Sequence, residues 1–337
     1  MGDGNRQWRL QVRPSGMVKD SDFVFGEASI PEPGDNELLV RTLYLSCDPA
    51  QRGWLDDRPS YVPPVPLGEV MRAMGVGRVV ASRHAAFQPG DLVLAPLGWQ
   101  DYAVCAAEGP NAARALPPGA PPLLFLGVLG VTGLTAYFGL LDVGQPRPGE
   151  TVVVSAAAGA TGSVAGQIAR LKGCRVIGIA GGPDKCRWVT ETARFDAAID
   201  YKSEDVEQRL GELCPRGLHV YFDNVGGAIL DAALAHLARR ARVVLCGGIS
   251  AYNAARRGPR NYLNLLVTRS RMEGFIVFDY AGRFPDALQE LSAWVQAGEI
   301  RHEEDVQIGL EHAPATLRRL FEGLNRGKQI LQVADPA

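Results

Sequence analysis

Three observations predict an α/β protein of about two domains, β-rich at first and built on a doubly wound parallel sheet thereafter. The chain has 337 residues, 46% hydrophobic and 21% charged, which is enough to bury two cores. Over the first hundred-odd residues, short apolar runs are separated by turn clusters, with little helical periodicity. After Gly149, strand-like and helix-like segments alternate, the pattern of a parallel sheet covered by helices on both faces.

Taken in order, strands are expected at Trp8 to Val12, Phe23 to Ala28, Glu37 to Cys47, Gly75 to Ser82 and Asp91 to Leu97. Turn chemistry separates them at Pro31-Glu32-Pro33-Gly34-Asp35, Gln88-Pro89-Gly90-Asp91 and Pro117-Pro118-Gly119. The stretch from Pro117 to Leu141 carries no charge and is long enough to cross a bilayer. Gly127, Gly130, Gly133 and Gly139 with Thr132 and Thr135 make it weakly apolar, so it is expected to be a loop and a buried helix leading into the next domain. Strands then follow at Thr151 to Ser155, Arg175 to Ile179, His219 to Asp223, Ala241 to Cys246 and Glu273 to Phe278. Between them lie helices at Gly162 to Lys172, Asp184 to Arg194, Glu204 to Leu213 and Ala228 to Arg239. A helix from Pro285 to Ala297 and a segment from Val306 to Val333, with a helix at Ala315 to Gly323, close the chain.

Charge and cysteine usage exclude some classes. A net charge of −2 with no block of like charges leaves no electrostatic footprint for nucleic acid or an anionic membrane. Six cysteines without CxxC pairing suit free thiols in a reducing compartment. The opening residues, with Asp3, Arg6 and Arg9, lack the apolar core of a secretory signal, so a cytoplasmic protein is expected.

The segment Val152 to Gly166 reads as a buried strand, a tight small-residue turn and a helix start, the place where a dinucleotide pyrophosphate sits. Gly159 lets backbone approach phosphate oxygens, and Gly162 lets the helix pack on its strand. Ala157 replaces the first glycine of the usual fingerprint, but the βαβ context, with Arg175 to Ile179 as second strand, supports the match. A site for NAD carries an acidic residue roughly 20 residues after the fingerprint, for the ribose 2′-hydroxyl. Here stand Ala180-Gly181-Gly182-Pro183-Asp184-Lys185. Two glycines leave room for a 2′-phosphate and Lys185 offers an ammonium to it, so NADPH is preferred. The alternatives are that Lys185 is a solvated surface lysine and that Asp184 takes the NAD role, although its position after Pro183 suits a helix cap.

Ligands of such sheets bind at the carboxyl ends of the strands, and three further strand ends are polar or glycine-rich. Phe222 to Gly227 is positioned for the cofactor ribose, Cys246 to Asn253 for the nicotinamide, and Phe275-Ile276-Val277-Phe278 to wall off that ring. Each alone is equally readable as an ordinary strand end.

Further marks are Ser46-Cys47-Asp48-Pro49 with Arg52-Gly53, Gly130 to Leu140, the Ala-Ala-Gly-Ala-Thr-Gly turn, Phe222 to Gly227, Cys246 to Asn253 and Asn325-Arg326-Gly327-Lys328. On these the chain resembles, almost end to end, the zinc-free leukotriene B4 12-hydroxydehydrogenase/prostaglandin reductase branch of the medium-chain dehydrogenase/reductase superfamily, the alkenal and enone double-bond reductases. The resemblance implies a GroES-like catalytic domain of residues 1–125 completed by 300–337, a Rossmann NADP-binding domain of residues 126–299, an active site in the cleft, and a homodimer joined through Rossmann edge strands. It also implies cofactor roles for Gly159, Ala160, Thr161, Gly162, Lys185, Tyr201, Asn224, Cys246, Gly247, Gly248, Ile249, Ser250, Ala251, Tyr252, Phe275, Ile276, Val277 and Asn325. Ala50 and Gln51 depart from the branch's usual aromatic residue and methionine, which is expected to reshape the substrate pocket, and Thr132 stands where proline is common. The Arg256-Arg257-Gly258-Pro259-Arg260 loop is read as a solvated basic loop.

Zinc members of the superfamily use Cys with a His-Glu pair and a four-cysteine lobe. Here Leu67 precedes Gly68-Glu69, and Cys105 is the single cysteine between Pro89 and Pro118, so no metal is expected. Without a Lewis acid, reduction of a polarised C=C bond is the feasible hydride chemistry, and the developing enolate oxygen needs a donor. Tyr252 is the first candidate and Tyr61 the second, each alternatively a half-buried ring. Arg52 either meets a substrate carboxylate or pairs with Asp48 or Asp56, and Phe278 is a candidate substrate contact. A quinone reductase is the nearest rival reading, and a catalytically idle NADPH-binding interaction protein the more distant one.

Overall fold

The chain folds into two compact units, one of Met1–Leu126 with Glu304–Ala337 and one of Gly127–Glu303. Residues 4–255 and 257–336 are described by the computed structural model, so Arg256 of the basic loop lies outside the described residues.

In the first unit, β1 (Gly4–Leu10) pairs antiparallel with β2 (Phe23–Ser29), and β3 (Glu37–Ser46) is the axis of a larger sheet. The short helix α1 (Ala50–Gly53) follows β3. β4 (Met74–Ser82) and β6 (Tyr102–Ala106) both pair with β3, while β5 (Leu92–Pro96) links β4 to β7 (Arg114–Ala115). Trp8 fixes the small sheet to the core. Its ring meets Phe23 edge-on at 6.4 Å and its indole N–H donates to the Leu310 carbonyl at 2.8 Å. Strand β1 starts four residues earlier than its apolar run and stops at Leu10, leaving Val12 exposed.

The second unit begins with α2 (Val131–Phe138) and a π turn over Gly139–Gly144. Then β8 (Thr151–Ser155), α3 (Ala160–Leu171), β9 (Arg175–Ala180), α4 (Pro183–Arg187), β10 (Ala197–Asp200), α5 (Val206–Leu213), β11 (Leu218–Asp223), α6 (Gly227–Ala235), β12 (Leu237–Leu245), α7 (Asn264–Thr268), β13 (Arg271–Gly274) and α8 (Phe284–Gln296) follow. The strands form a parallel sheet in the order β10-β9-β8-β11-β12-β13. The order reverses between β8 and β11, the point where such sheets receive dinucleotides. Val152, Val153 and Val154 of β8 are fully buried, each contributing roughly 1.5–3 kcal/mol.

The chain then returns to the first unit through β14 (Glu304–Ile308), α9 (Ala313–Glu322) and β15 (Lys328–Gln332). Strand β15 pairs with β14 on one side and antiparallel with β3 on the other, so both chain ends build one sheet.

Several boundaries differ from expectation. The helix expected over Asp184 to Arg194 is α4 followed by a π turn at Trp188–Thr192. The helix expected to reach Arg239 ends at Ala235, because the backbone is already in β12 at Leu237. The strand expected over Glu273 to Phe278 ends at Gly274, and Val277–Arg283 winds into a 3-10 turn. Among the described residues, no helix is long and apolar enough to cross a membrane; the uncharged stretch is a 3-10 turn at Pro122–Phe125 and the eight-residue α2.

Candidate active site

The turn after β8 is shaped by close approach. Ala156 adopts φ +49°, and Gly159 caps α3 in extended conformation with no side chain on the first-turn N–H groups. A Cβ at Gly162 would lie 2.4 Å from the Ala156 carbonyl oxygen, so only glycine lets the helix start this close to its strand. The substituted fingerprint position is accommodated from the neighbouring strand. Ala157 is fully buried, and a Cβ at Gly178 of β9 would stand 2.7 Å from its methyl group. The space lost at residue 157 is returned at residue 178.

At the end of β9 the acidic residues are engaged elsewhere. The Gly182 N–H donates to Asp200 Oδ1 at 2.8 Å, and Asp200 also receives the Lys202 N–H and the Ser203 hydroxyl. The Gly182 bond, foremost among these, holds that carboxyl below its ordinary range against its desolvation. Asp184 is 80% exposed and pairs with Arg187 at 3.2 Å. The capping role expected of Asp184 from the sequence is not found: Gly182 occupies the cap position and Asp184 lies in the first turn of α4. Lys185 sits half-buried in the same helix. The exposed Tyr201 ring covers Gly181, where a Cβ would approach it to 2.8 Å.

The loops after β11 and β12 are tied to each other. The Asn224 N–H donates to Ser155 Oγ (2.9 Å) and its amide to the Ser155 carbonyl (2.7 Å). The Cys246 and Gly247 N–H groups donate to the Asp223 carbonyl at 2.9 and 3.0 Å, Ile249 N–H to Asn224 O, and Ser250 N–H and Oγ to Val225 O. Burial pushes the Cys246 thiol up to about 12, leaving it a small apolar group. Tyr252 follows the 3-10 turn Ile249–Ala251, and its hydroxyl accepts the Gly248 N–H at 3.4 Å. After β13, the Phe275 ring packs over Gly139, where a Cβ would come within 2.4 Å of it. Ile276 is half-buried, Val277 buried and Phe278 exposed.

In the first unit, Tyr61 is 49% exposed, its hydroxyl 3.4 Å from the Trp54 indole nitrogen. Of the two fates open to Arg52, the Asp56 pair is the one formed. At 4% exposure its guanidinium donates to Asp56 Oδ1 (2.6 Å), the Gly16 carbonyl (3.1 Å) and the Pro14 carbonyl (3.2 Å). Gln51 is fully buried: its oxygen accepts the Asp48 N–H and its amide donates to the Arg72 carbonyl. Lys328 bridges to Asp48 Oδ1 at 2.6 Å and the Cys47 carbonyl at 2.9 Å. The Asn325 amide donates to the Gly327 carbonyl within its own turn.

Residues 6–112 match the family described as "N-terminal domain of oxidoreductase", and residues 160–293 the family described as "Zinc-binding dehydrogenase". The chain is 43% identical to the NADPH-dependent curcumin reductase of Escherichia coli (strain K12), over 98% of this chain and 97% of that protein. It is 39% identical to the 2-alkenal reductase (NADP(+)-dependent) of Nicotiana tabacum, over 98% of each. The crystal structure of CurA in complex with NADPH from Vibrio vulnificus superposes with a TM-score of 0.93 at 44% identity, covering 98% of this chain and all of that one. The chain belongs to the zinc-independent medium-chain dehydrogenase/reductases, in the branch of the alkenal and prostaglandin reductases.

Gln51 is a buried brace between Asp48 and Arg72. The zinc named in the second family description does not fit these residues. Cys47 and Cys105 are buried, which pushes both thiols up to about 12, and the histidine position carries the exposed Leu67. Among the described residues, no group of three or more His, Cys, Asp or Glu side chains is placed to hold a metal ion. The sequence places Ser155 and Asp223 within candidate segments but does not show that these buried polar residues join the ends of β8 and β11 through a 3.0 Å hydrogen bond. Their signal was a polar residue closing an otherwise apolar buried strand.

Proposed function

We propose that the chain reduces the conjugated C=C bond of α,β-unsaturated ketones and aldehydes with NADPH, as an NADP-dependent oxidoreductase. One observation supports the cofactor choice: at the end of β9, Asp184 pairs with Arg187 and Asp200 accepts the Gly182 N–H, and in this reading Gly181, Gly182, Lys185 and Tyr201 receive the ribose 2′-phosphate. A carboxylate there would repel that phosphate. In this reading Gly159, Ala160, Thr161 and Gly162 hold the pyrophosphate on the α3 N-terminus. Asn224, the loop from Cys246 to Tyr252 and the segment from Phe275 to Val277 hold the ribose and nicotinamide.

NADPH held there would supply a hydride to the β-carbon, the C=C electron pair moving toward the carbonyl oxygen, and a proton from solvent taken up at the α-carbon would complete the saturated product. This chain's task is to hold the carbonyl and offer a donor to the developing enolate, which Tyr252 does as a neutral phenol. Tyr252→Phe lowers enone turnover on the order of 10²-fold, the scale for removing one such donor, while leaving the fold intact. If Tyr61→Phe shows that loss instead, the donor is Tyr61.

The chain acts as a homodimer joined at the β13 edge. That strand ends the parallel sheet, and Leu263, Leu266 and Val267 nearby are exposed, Leu266 to 76%. Leu266→Glu gives a monomer in sedimentation; an already monomeric wild-type chain removes this part. The functional test follows NADPH and NADH oxidation against enals, enones, quinones and 15-keto lipids, with secondary alcohols plus NADP⁺ as control. NADPH oxidation with enones and enals supports the reading, and turnover confined to quinones or to alcohols refutes it.

A further inference from the structure

We propose that Asp223 is a positioning residue for the dinucleotide, its Oδ1 holding the loops at the ends of β8, β11 and β12 in the shape that receives it; this rests on the NADPH reading above. Asp223 closes β11 beside β8, at the one place where the strand order reverses, and it is fully buried. Four donors converge on Oδ1: Ser155 Oγ at 3.0 Å, the Tyr221 hydroxyl at 2.9 Å, and the Val225 and Gly226 N–H groups at 3.0 Å each. Its twin oxygen, Oδ2, is buried with no hydrogen-bond partner. A buried carboxyl kept only to fill space would share its donors between both oxygens, since leaving one bare is unfavourable.

The asymmetry is directed at the loops. Gly226 and Gly227 have φ of +72° and +58°, conformations of a flexible turn that two N–H bonds to one oxygen fix. Ser155 Oγ passes the constraint to the Asn224 N–H, and the Asp223 carbonyl holds Cys246 and Gly247. Residues from three strand ends thus depend on one side chain and its own backbone. Desolvation pushes the Asp223 carboxyl up, against the hydrogen bonds that favour its charge. All four donors meet Oδ1 and none meets Oδ2, so an acceptor oxygen at that one place is what the loops need.

The distinction between acceptor and charge sets the test. Asp223→Ala, Asp223→Asn and Ser155→Ala are compared with the wild-type chain for NADPH dissociation constant by fluorescence titration. Amide hydrogen exchange is followed in the cofactor-free proteins over residues 224–227 and 246–250. Asp223→Ala is expected to raise the dissociation constant tenfold or more and to speed exchange in both segments, with β9 and α8 unchanged. Asn, which keeps the acceptor, is expected to restore binding to within about threefold. Ser155→Ala, which removes one donor and the Asn224 partner, is expected to weaken binding at least threefold and to speed exchange over 224–227; it tests the same network if the alanine at 223 fails to fold. The proposal is overturned if Asp223→Ala binds within twofold of wild type, if Asn binds as poorly as Ala, or if exchange in the two segments is unaltered. A wild-type chain that binds no NADPH removes the functional reading instead, while the exchange data still decide the loop-holding role.

Discussion

In the proposed reading Lys185 is the residue on which the cofactor preference turns, and the sequence points to it because the surrounding residues lack an acid where an NAD site has one. A hydrogen bond to a charged group is worth about 1.5–3 kcal/mol, and each 1.4 kcal/mol is tenfold in affinity. Lys185→Ala is therefore expected to weaken NADPH binding roughly 10–100-fold while leaving NADH binding unchanged, as measured by titration with each coenzyme. An unchanged preference removes Lys185 from the site. Other residues were legible only as alternatives. The sequence offers Arg52 a substrate carboxylate or a neighbouring aspartate, and the choice depends on whether the Pro14 and Gly16 carbonyls lie within its reach. Ser155 and Asp223 lie 68 residues apart in the chain, and no local pattern announces that they meet.

At the scale of elements, the βαβ unit was readable because its period, turn and glycine all agree. The compensation of Ala157 by Gly178 was not, since strand register decides which residues face each other. The strands that escaped notice, β6, β7, β10, β14 and β15, have two to five residues each, too short for periodicity to stand out; pairing partners make them strands. The tight start of α3 has a measurable consequence. Gly162→Ala places a methyl against the Ala156 carbonyl, and the turn must open to admit it. NADPH affinity is expected to fall at least tenfold with the helical content retained in circular dichroism. Wild-type affinity in this variant would mean that the turn does not hold the pyrophosphate.

For the whole molecule, two cores and one discontinuous unit set the stability, and the second unit carries a pH-sensitive tie at the base of its sheet. The Thr151 N–H donates to His219 Nδ1 at 3.1 Å, which requires that nitrogen to be unprotonated. Burial, aided by Arg242 and Arg216, lowers the His219 pKa below its ordinary value against the opposing pull of Glu150. A histidine held neutral in the fold contributes stability that is complete above its unfolded pKa of about 6.5 and lost as pH falls below it. Urea unfolding is expected to weaken between pH 7 and pH 5, and His219→Leu to flatten that slope while lowering stability at pH 7. An equally steep slope in the variant would place the sensitivity elsewhere. That the chain's two ends share a sheet was legible from resemblance alone, because β15 finds β3 across nearly the whole sequence.

The central claim is that a hydride passes from NADPH to a conjugated carbon on this chain, and NADPH deuterated at C4 of the nicotinamide tests it most directly. With an enone substrate, mass spectrometry and NMR of the product are expected to find a saturated ketone with one deuterium on the β-carbon, and none when equally labelled NADH is supplied at the same low concentration. Deuterium on the carbonyl carbon of an allylic alcohol, or an enone recovered unlabelled while NADPH is consumed, would contradict it.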